Sequence, residues 1–163
     1  PDSEDAHIWL DPENAKAIVR ALSVVHGHAN PEHKAKYAQN ATDFERRMDK
    51  AVQSVQVNGM TPYWAYHDAF QYIEQAAGLK FAGALTPDHH LNPKASQFKR
   101  LNQTRPQPFM CLASQGVVSD GIKNKLGNVN VTIIQEDMSG IGEDFISAWV
   151  AQVNALQTCA GIK

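Results

Sequence analysis

The sequence has no apolar run near the roughly 20 residues that cross a bilayer, and it carries little excess charge. Its formal net charge is −2 over 163 residues, so no basic patch is available to attract phosphate or anionic lipid. Nucleic acid and membrane surfaces are therefore poor partners. A basic-then-apolar leader is also missing, and the abrupt opening at Pro1 leads us to expect part of a longer protein.

Cysteine is scarce as well. Cys111 and Cys159 are the two cysteines of the chain, and they form no C-x-x-C pair that would suit a zinc ion. Composition leaves two interpretations open, namely buried reduced thiols or one disulfide formed in an oxidising compartment. A disulfide closing so long a loop would stabilise the fold by about 4 kcal/mol in the chain-entropy model.

The N-terminal third of the chain predicts two helices. Asp11-Pro12-Glu13 has the residue types of a helix start, and the apolar residues after it recur at helical spacing as far as an expected end at Gly27. Asn30-Pro31 repeats the start signal. The helix predicted over 31–57 would be about 40 Å long at ~1.5 Å per residue.

The remainder of the chain alternates between strand and helix patterns. Four apolar segments predict strands, and each is followed by a helical pattern, with helix starts expected at Asp68 and at Asn92-Pro93; the strands cover 63–66, 80–85, 108–112 and 129–134. This alternation predicts the α/β class, with a four-stranded parallel sheet flanked by helices and preceded by a long helix. Ligands of such sheets bind at the carboxyl ends of the strands.

One histidine follows a predicted strand directly. His67 comes directly after the first strand, and Asp137 comes just after the fourth strand with Glu136 beside it. An imidazole and a carboxylate at one sheet edge suit Zn²⁺, although a histidine hydrogen-bonded at a helix start is the simpler alternative. We expect His26, His28 and His33 to be residues of a helix end and turn without a metal role. His89-His90 lies in the loop after the second strand, where it could contact a metal, although adjacent loop histidines are usually solvated.

Two short motifs resemble those of a known family. Asp5-Ala6-His7-Ile8-Trp9-Leu10-Asp11-Pro12 is similar to the H-x-W-L-x-P element of metal-binding proteins from zinc and manganese ABC importers. Tyr66-His67-Asp68-Ala69-Phe70 resembles the F-H-D-A-[FY] motif of the same proteins. The motifs occur in the family's order, and the helix predicted over 31–57 corresponds to the rigid helix that links the two lobes of its members.

The resemblance implies a fold, a domain division and a function. Residues 1–30 would be a remnant of the N-terminal lobe, 31–57 the linking helix and 58–163 the C-terminal α/β lobe, so the chain would be half of a two-lobe substrate-binding protein. The implied function is capture of Zn²⁺ in the Gram-negative periplasm and delivery to the membrane permease of an ABC importer. Without the N-terminal lobe, the metal site would be incomplete. Partly uncovered apolar residues of the first helix would favour dimers or helix swapping; they are Ile18, Val19, Leu22 and Val25.

The resemblance also implies site residues. His7 and His67 match two histidine ligands, and Asp137 falls near the carboxylate ligand, with Glu136 as the less favoured choice. Zinc members read D-P-L-G at that position, where this chain reads Asp137-Met138-Ser139-Gly140. Imidazole-rich ligand sets favour Zn²⁺ over Mn²⁺. Gram-negative zinc members place cysteines similarly, which implies a Cys111–Cys159 disulfide.

Two alternatives stay open from the sequence. A small zinc-dependent hydrolase would bind the ion with His7, His67 and Asp137 and would use Glu136 as a base. The sequence has neither an H-E-x-x-H motif nor a G-x-S-x-G motif, which counts against an enzyme. The second alternative is a flavodoxin-like interaction domain without a metal.

Overall fold

A single parallel sheet organises the chain. The structure, a computed structural model, describes residues 5–88, 90–135 and 144–162. Four strands pair in the order β2-β1-β3-β4, and every pair is parallel. The strands are β1 (Thr61–His67), β2 (Leu79–Thr86), β3 (Met110–Ser114) and β4 (Val129–Ile133). The predicted α/β class and four-stranded parallel sheet are thus confirmed.

Helices precede the sheet and connect its strands. Within the described ranges these are α1 (Pro12–Ala29), α2 (Lys34–Val55), α3 (Gln71–Ala77), α4 (Ala95–Gln103), α5 (Asp120–Leu126) and α6 (Phe145–Cys159). Short 3-10 helices cover Ile8–Leu10 and Pro31–His33. None of the helices in the described part of the chain is both long and apolar enough to cross a bilayer.

The predicted start of α1 is confirmed by its cap. The Asp11 carboxylate accepts hydrogen bonds from the backbone N–H groups of Glu13 (2.8 Å) and Asn14 (3.0 Å). These two bonds satisfy donors that the first turn of a helix leaves unpaired, and the preset backbone angle of Pro12 supports the same turn. The long helix α2 has 22 residues and follows a separate 3-10 turn, so it extends about 33 Å rather than the predicted 40 Å.

Three predicted helix boundaries are wrong. Gly27 does not end α1, because it is a buried helical residue packed against the start of α2, where an added Cβ would lie 3.1 Å from Lys34 Cγ. Asp68 does not cap α3; the chain first buries Phe70, which is 1% exposed, and turns into a helix only at Gln71. The helix predicted from Asn92 begins at Ala95.

The core lies on both faces of the sheet because successive residues of a strand point to opposite faces. On one face, Tyr63 and Ala65 pack with residues of α2, α3 and α6. On the other face, Trp64 packs with residues of α4 and α5. The first of these clusters includes the disulfide between Cys111 and Cys159, whose Cα atoms are 5.3 Å apart. That bond, which the family resemblance implied, joins β3 to the end of α6.

Helices α1 and α2 pack side by side and are joined by ion pairs on their exposed surfaces. Lys16 Nζ lies 2.8 Å from Asp49 Oδ1, and Arg20 Nη1 lies 2.6 Å from Glu45 Oε1. Exposed pairs of this kind contribute about 0–1 kcal/mol each, so apolar packing between the helices has to supply most of the stabilisation. Three large apolar side chains of α1 are exposed, namely Leu22 (50%), Val24 (60%) and Val25 (62%).

Candidate metal centre

The carboxyl ends of three neighbouring strands carry buried polar side chains. His67 ends β1, Thr86 ends β2 and Ser114 ends β3, with exposed fractions of 6%, 2% and 4%. The order β2-β1-β3-β4 changes direction between β1 and β3, and ligand crevices of open parallel sheets form at such a point. His67 therefore lies where a ligand site is expected.

The two hydroxyl groups at this edge bond to nearby backbone. Thr86 Oγ1 donates to the carbonyl of Tyr66 (3.2 Å), and Ser114 Oγ donates to the carbonyl of Gly116 (2.8 Å). These bonds hold the ends of β1 and β2 together and shape the turn after β3. Of the three residues, His67 is the one whose nitrogen is a good ligand for a borderline metal ion.

His7 is held in place by a carboxylate two residues earlier. Asp5 Oδ1 accepts the backbone N–H of His7 at 3.0 Å and lies 2.7 Å from Nδ1 of the same residue. Asp5 Oδ2 accepts a hydrogen bond from Gln71 Nε2 at 3.1 Å. Since Gln71 begins α3, four residues after His67, these contacts bring the segment that carries His7 to the region where β1 ends.

A second anchor joins this segment to the last helix. The indole Nε1 of Trp149, in α6, donates to the carbonyl of Leu10 at 2.9 Å, and both side chains are fully buried. The 3-10 helix Ile8–Leu10 is therefore packed against α6, which covers one face of the sheet. The segment that carries His7 is thus attached to α3 and α6, although 60 positions separate His7 from His67 in the sequence.

Acidic side chains surround this region. Burial raises the pKa of the Asp68 carboxyl, and the negative charge of Asp5 raises it further. Burial also raises the pKa of the Glu74 carboxyl, against the effect of the hydrogen bond from the Tyr63 hydroxyl (2.6 Å). Carboxylates that disfavour one another's charge in this way create a field that favours a bound cation.

The pKa of Asp5 moves in the opposite direction. Burial by itself raises it, but the hydrogen bonds from the His7 backbone N–H, from Gln71 and from the His7 ring outweigh burial and leave the pKa below its usual value. The carboxylate form, which accepts all of these bonds, is therefore favoured at the position beside His7.

The structure tests the predicted ligand set only in part. It brings the region of His7 to the helix that follows His67, whereas Asp137 and Glu136 lie outside the described residues. Within 5–88, 90–135 and 144–162, no group of three or more His, Cys, Asp or Glu side chains is arranged to hold a metal ion. The ligand set of His7, His67 and Asp137 accordingly stays a prediction.

Sequence reasoning missed the residues that hold His7 in place. Asp5 and Gln71 bond across 66 positions, and Trp149 reaches Leu10 across 139. The one local signal was an acidic residue two positions before a candidate ligand, a spacing at which a carboxylate can cap the backbone N–H of the histidine. His26, His28 and His33 lie on α1 and the turn into α2, where the rings of His26 and His33 are 5.5 and 6.3 Å from that of Tyr37.

The fold and the side chains at the strand ends together define a class of protein. It is an α/β lobe that presents imidazole and carboxylate groups at the carboxyl edge of a parallel sheet. Comparison with known proteins narrows this class. Residues 1–159 match the profile of the family described as zinc-uptake complex component A, periplasmic. The chain belongs to that family, as the resemblance of its two motifs implied.

Two curated relatives illustrate the match. The high-affinity zinc uptake system protein ZnuA of Brucella abortus is 31% identical over 102 residues, which are 60% of this chain and 30% of that protein. ZnuA of Haemophilus ducreyi is 30% identical over 104 residues, covering 61% of this chain and 34% of that protein. The matched part of the chain thus spans about a third of the length of these curated relatives.

Solved structures share the fold. A zinc-bound variant of AdcAII from Streptococcus pneumoniae has a TM-score of 0.75 at 18% identity, covering 96% of this chain and 60% of that one. The laminin-binding protein Lbp of Streptococcus pyogenes has a TM-score of 0.74 at 18% identity, covering 96% and 64%. At this identity the likeness supports the architecture, including the order of helices and strands.

Proposed function

We propose that this chain takes part in the capture of Zn²⁺ in the Gram-negative periplasm and in its delivery to the membrane permease of an ABC importer. The observation that carries the proposal is the buried imidazole of His67 at the strand-order reversal, with the His7 segment packed beside the helix that follows. Membership of a zinc-uptake family and the names of the ZnuA relatives support the choice of ion.

The proposed ligands are His7, His67 and Asp137. Two neutral imidazoles and one carboxylate suit Zn²⁺, which binds nitrogen and oxygen at about 2.0–2.2 Å in a tetrahedral shell. The carboxylates of Asp5 and Asp68 add negative charge close by, which would lower the free energy of a bound dication. Glu136 is the second choice for the carboxylate position.

The proposed role is capture rather than turnover. Zinc hydrolases hold the ion with three protein ligands and keep an open position for the attacking water. A carrier instead needs a shell that binds the ion and then releases it, and family membership favours this second arrangement. Zinc is accordingly the cargo of this site.

Calorimetric titration with Zn²⁺ tests the proposal directly. His7→Ala and His67→Ala should each weaken binding by at least about tenfold, since each removes one of few ligands. His28→Ala is the matched control, because His28 is an exposed histidine of α1 far along the helix from the site. Asp137→Asn tests the carboxylate. If His67→Ala binds zinc as tightly as the parent chain, the proposed site is wrong.

The domain division is a further part of the proposal. We place residues 1–30 with a first lobe, 31–57 in the helix between lobes and 58–163 in the second lobe, and we propose that another lobe covers Leu22, Val24 and Val25. The exposure of these three side chains supports this assignment. Alone, the chain should associate through exposed apolar side chains of α1 into dimers or helix-swapped pairs. Light scattering that shows only monomers at high concentration would contradict this.

A further inference from the structure

The side chain of Asp5 contacts both His7 and α3, although Asp5 is not one of the proposed ligands. One carboxylate oxygen, Oδ1, accepts the backbone N–H of His7 at 3.0 Å and lies 2.7 Å from the ring nitrogen Nδ1. The other oxygen, Oδ2, accepts a hydrogen bond from Gln71 at 3.1 Å. The carboxylate thus bridges the candidate ligand and the first residue of α3.

The contact with Asp5 determines which ring nitrogen of His7 carries the hydrogen. An ionised carboxylate only accepts hydrogen bonds, so the short contact with Oδ1 requires that Nδ1 of His7 carry the hydrogen. A neutral ring then has its lone pair on Nε2. Metal-binding histidines commonly donate their second N–H to a carboxylate in this way, which fixes the tautomer and the ring orientation and raises the basicity of the ligand.

Asp5 is itself fixed to the body of the fold. Besides Gln71, the hydroxyl of Tyr72 donates to the backbone carbonyl of Asp5 at 3.4 Å. Both partners lie in the first turn of α3, which begins just after His67. Asp5 therefore fixes His7 relative to α3, in addition to the anchor that Trp149 provides at Leu10.

We propose that Asp5 is a positioning residue: it selects the Nδ1–H tautomer of His7 and aims Nε2 toward the ion shared with His67. The metal-binding part of this inference rests on the proposed function. The tautomer part concerns the metal-free chain and is tested independently of zinc.

The first experiment measures the His7 tautomer without metal. Long-range proton–nitrogen correlation spectra of the metal-free chain should show His7 in the Nδ1–H form. Asp5→Ala should shift the ring toward the Nε2–H form, whereas Asp5→Asn keeps an accepting oxygen and should retain Nδ1–H. An unchanged tautomer in Asp5→Ala overturns the proposal, provided that the thermal unfolding curve shows a folded variant.

The second experiment measures Zn²⁺ affinity in a double-mutant cycle. Asp5→Ala should weaken binding by about 10–100-fold, Asp5→Asn should restore part of the loss, and Gln71→Ala should have a smaller effect. In the His7→Ala background, Asp5→Ala should change affinity by no more than about two- to fivefold, the share that its negative charge contributes directly, because the positioning effect of Asp5 acts through His7. Asp120→Ala, an exposed acid of α5, is the matched control.

The outcomes separate the two proposals. An equal loss from Asp5→Ala with and without His7 overturns the positioning role, because Asp5 would then act directly on the ion or on the fold. A chain that shows the predicted tautomers but binds no zinc supports the orientation of His7 by Asp5 and contradicts only the proposed function.

Discussion

The two ends of the sheet are built differently. At the amino ends of β3 and β4, the stabilising groups are a disulfide and an arginine whose two terminal nitrogens each donate two hydrogen bonds. At the carboxyl ends of β1, β2 and β3, buried polar side chains occur instead, with the partly buried carboxylate of Asp5 and the carboxylate of Asp68 close by. The contrast indicates that one end supplies stability, while the other holds groups that are costly to bury and suited to a cation.

Arg105 shows how the stabilising end works. Its Nη1 donates to the carbonyls of Pro108 (2.9 Å) and Asn128 (3.2 Å), and its Nη2 donates to Asn102 Oδ1 (3.1 Å) and to the carbonyl of Leu126. The guanidinium also lies 4.6 Å from the ring centroid of Trp64. One side chain thereby joins the loops before β3 and β4 to the buried strand β1.

The largest expected effect at the stabilising end is loss of the disulfide. Replacing Cys111 and Cys159 together with alanine should lower the free energy of unfolding by about 4 kcal/mol, because the loop of 48 positions no longer restricts the unfolded chain. Zinc affinity should change by less than about twofold. Chemical denaturation and calorimetry measure the two quantities. A large loss of zinc affinity in a folded double variant would contradict the proposal that one end of the sheet supplies stability and the other binds the ion.

Arg105→Ala should have the next largest effect. It should cost about 2–3 kcal/mol of stability, since several carbonyls lose a charged donor and Trp64 loses its cation. Arg105→Lys should lose less stability than Arg105→Ala but should remain less stable than the parent chain, because lysine cannot form the same fork of hydrogen bonds. Denaturant midpoints measure both variants. If Arg105→Ala weakened zinc binding while leaving stability unchanged, the roles assigned to the two ends would be reversed.

Lowering the pH should weaken zinc binding at the carboxyl edge of the sheet. Imidazole binds a metal only in its neutral form, so zinc affinity should fall by at least about tenfold between pH 7.5 and pH 5. Titration calorimetry at the two pH values measures this effect, and a circular dichroism spectrum at pH 5 controls for unfolding. Equal affinity at both values would mean that histidines do not supply the ligands.

Asp68→Asn should have the smallest effect, and it should change stability and zinc affinity in opposite directions. Burial and the charge of Asp5 raise the pKa of Asp68, so its ionised form costs stability at neutral pH, and this cost disappears as the pH falls through the raised value. Removing the charge should slightly raise the melting temperature of the metal-free chain. It should also lower zinc affinity about two- to fivefold, the size of one charge interaction in a polar environment.

The control for Asp68 is Asp120→Asn, which alters an exposed acid of α5. It should leave zinc affinity unchanged. A fall in zinc affinity equal to that of Asp68→Asn would assign the effect to net charge and not to the carboxyl edge of the sheet.

The sheet was predictable because each strand is an apolar segment followed by a helical pattern. Alternation of this kind usually gives a parallel sheet covered by helices. The position of His67 at the end of β1 followed from the same reasoning. The start of α3 was not predictable in this way: Asp68 looks like a cap, but burial of Phe70 takes precedence over that local preference.

Long-range contacts were beyond sequence reasoning. The hydrogen bond between Gln71 and Asp5, and that between Trp149 and Leu10, join segments that no local pattern relates. The link between β3 and α6 through Cys111 and Cys159 came from the family resemblance and not from the pattern of residues, because composition alone left reduced thiols equally open.

The central claim is that His7 and His67 bind one ion at the carboxyl edge of the sheet. Anomalous diffraction at the zinc absorption edge, on crystals of the chain grown with Zn²⁺, tests it most directly. The account predicts a single strong peak with Nε2 of His7 and a ring nitrogen of His67 both at about 2.0–2.1 Å. A zinc peak elsewhere, with the two imidazoles bound to no common ion, would contradict it.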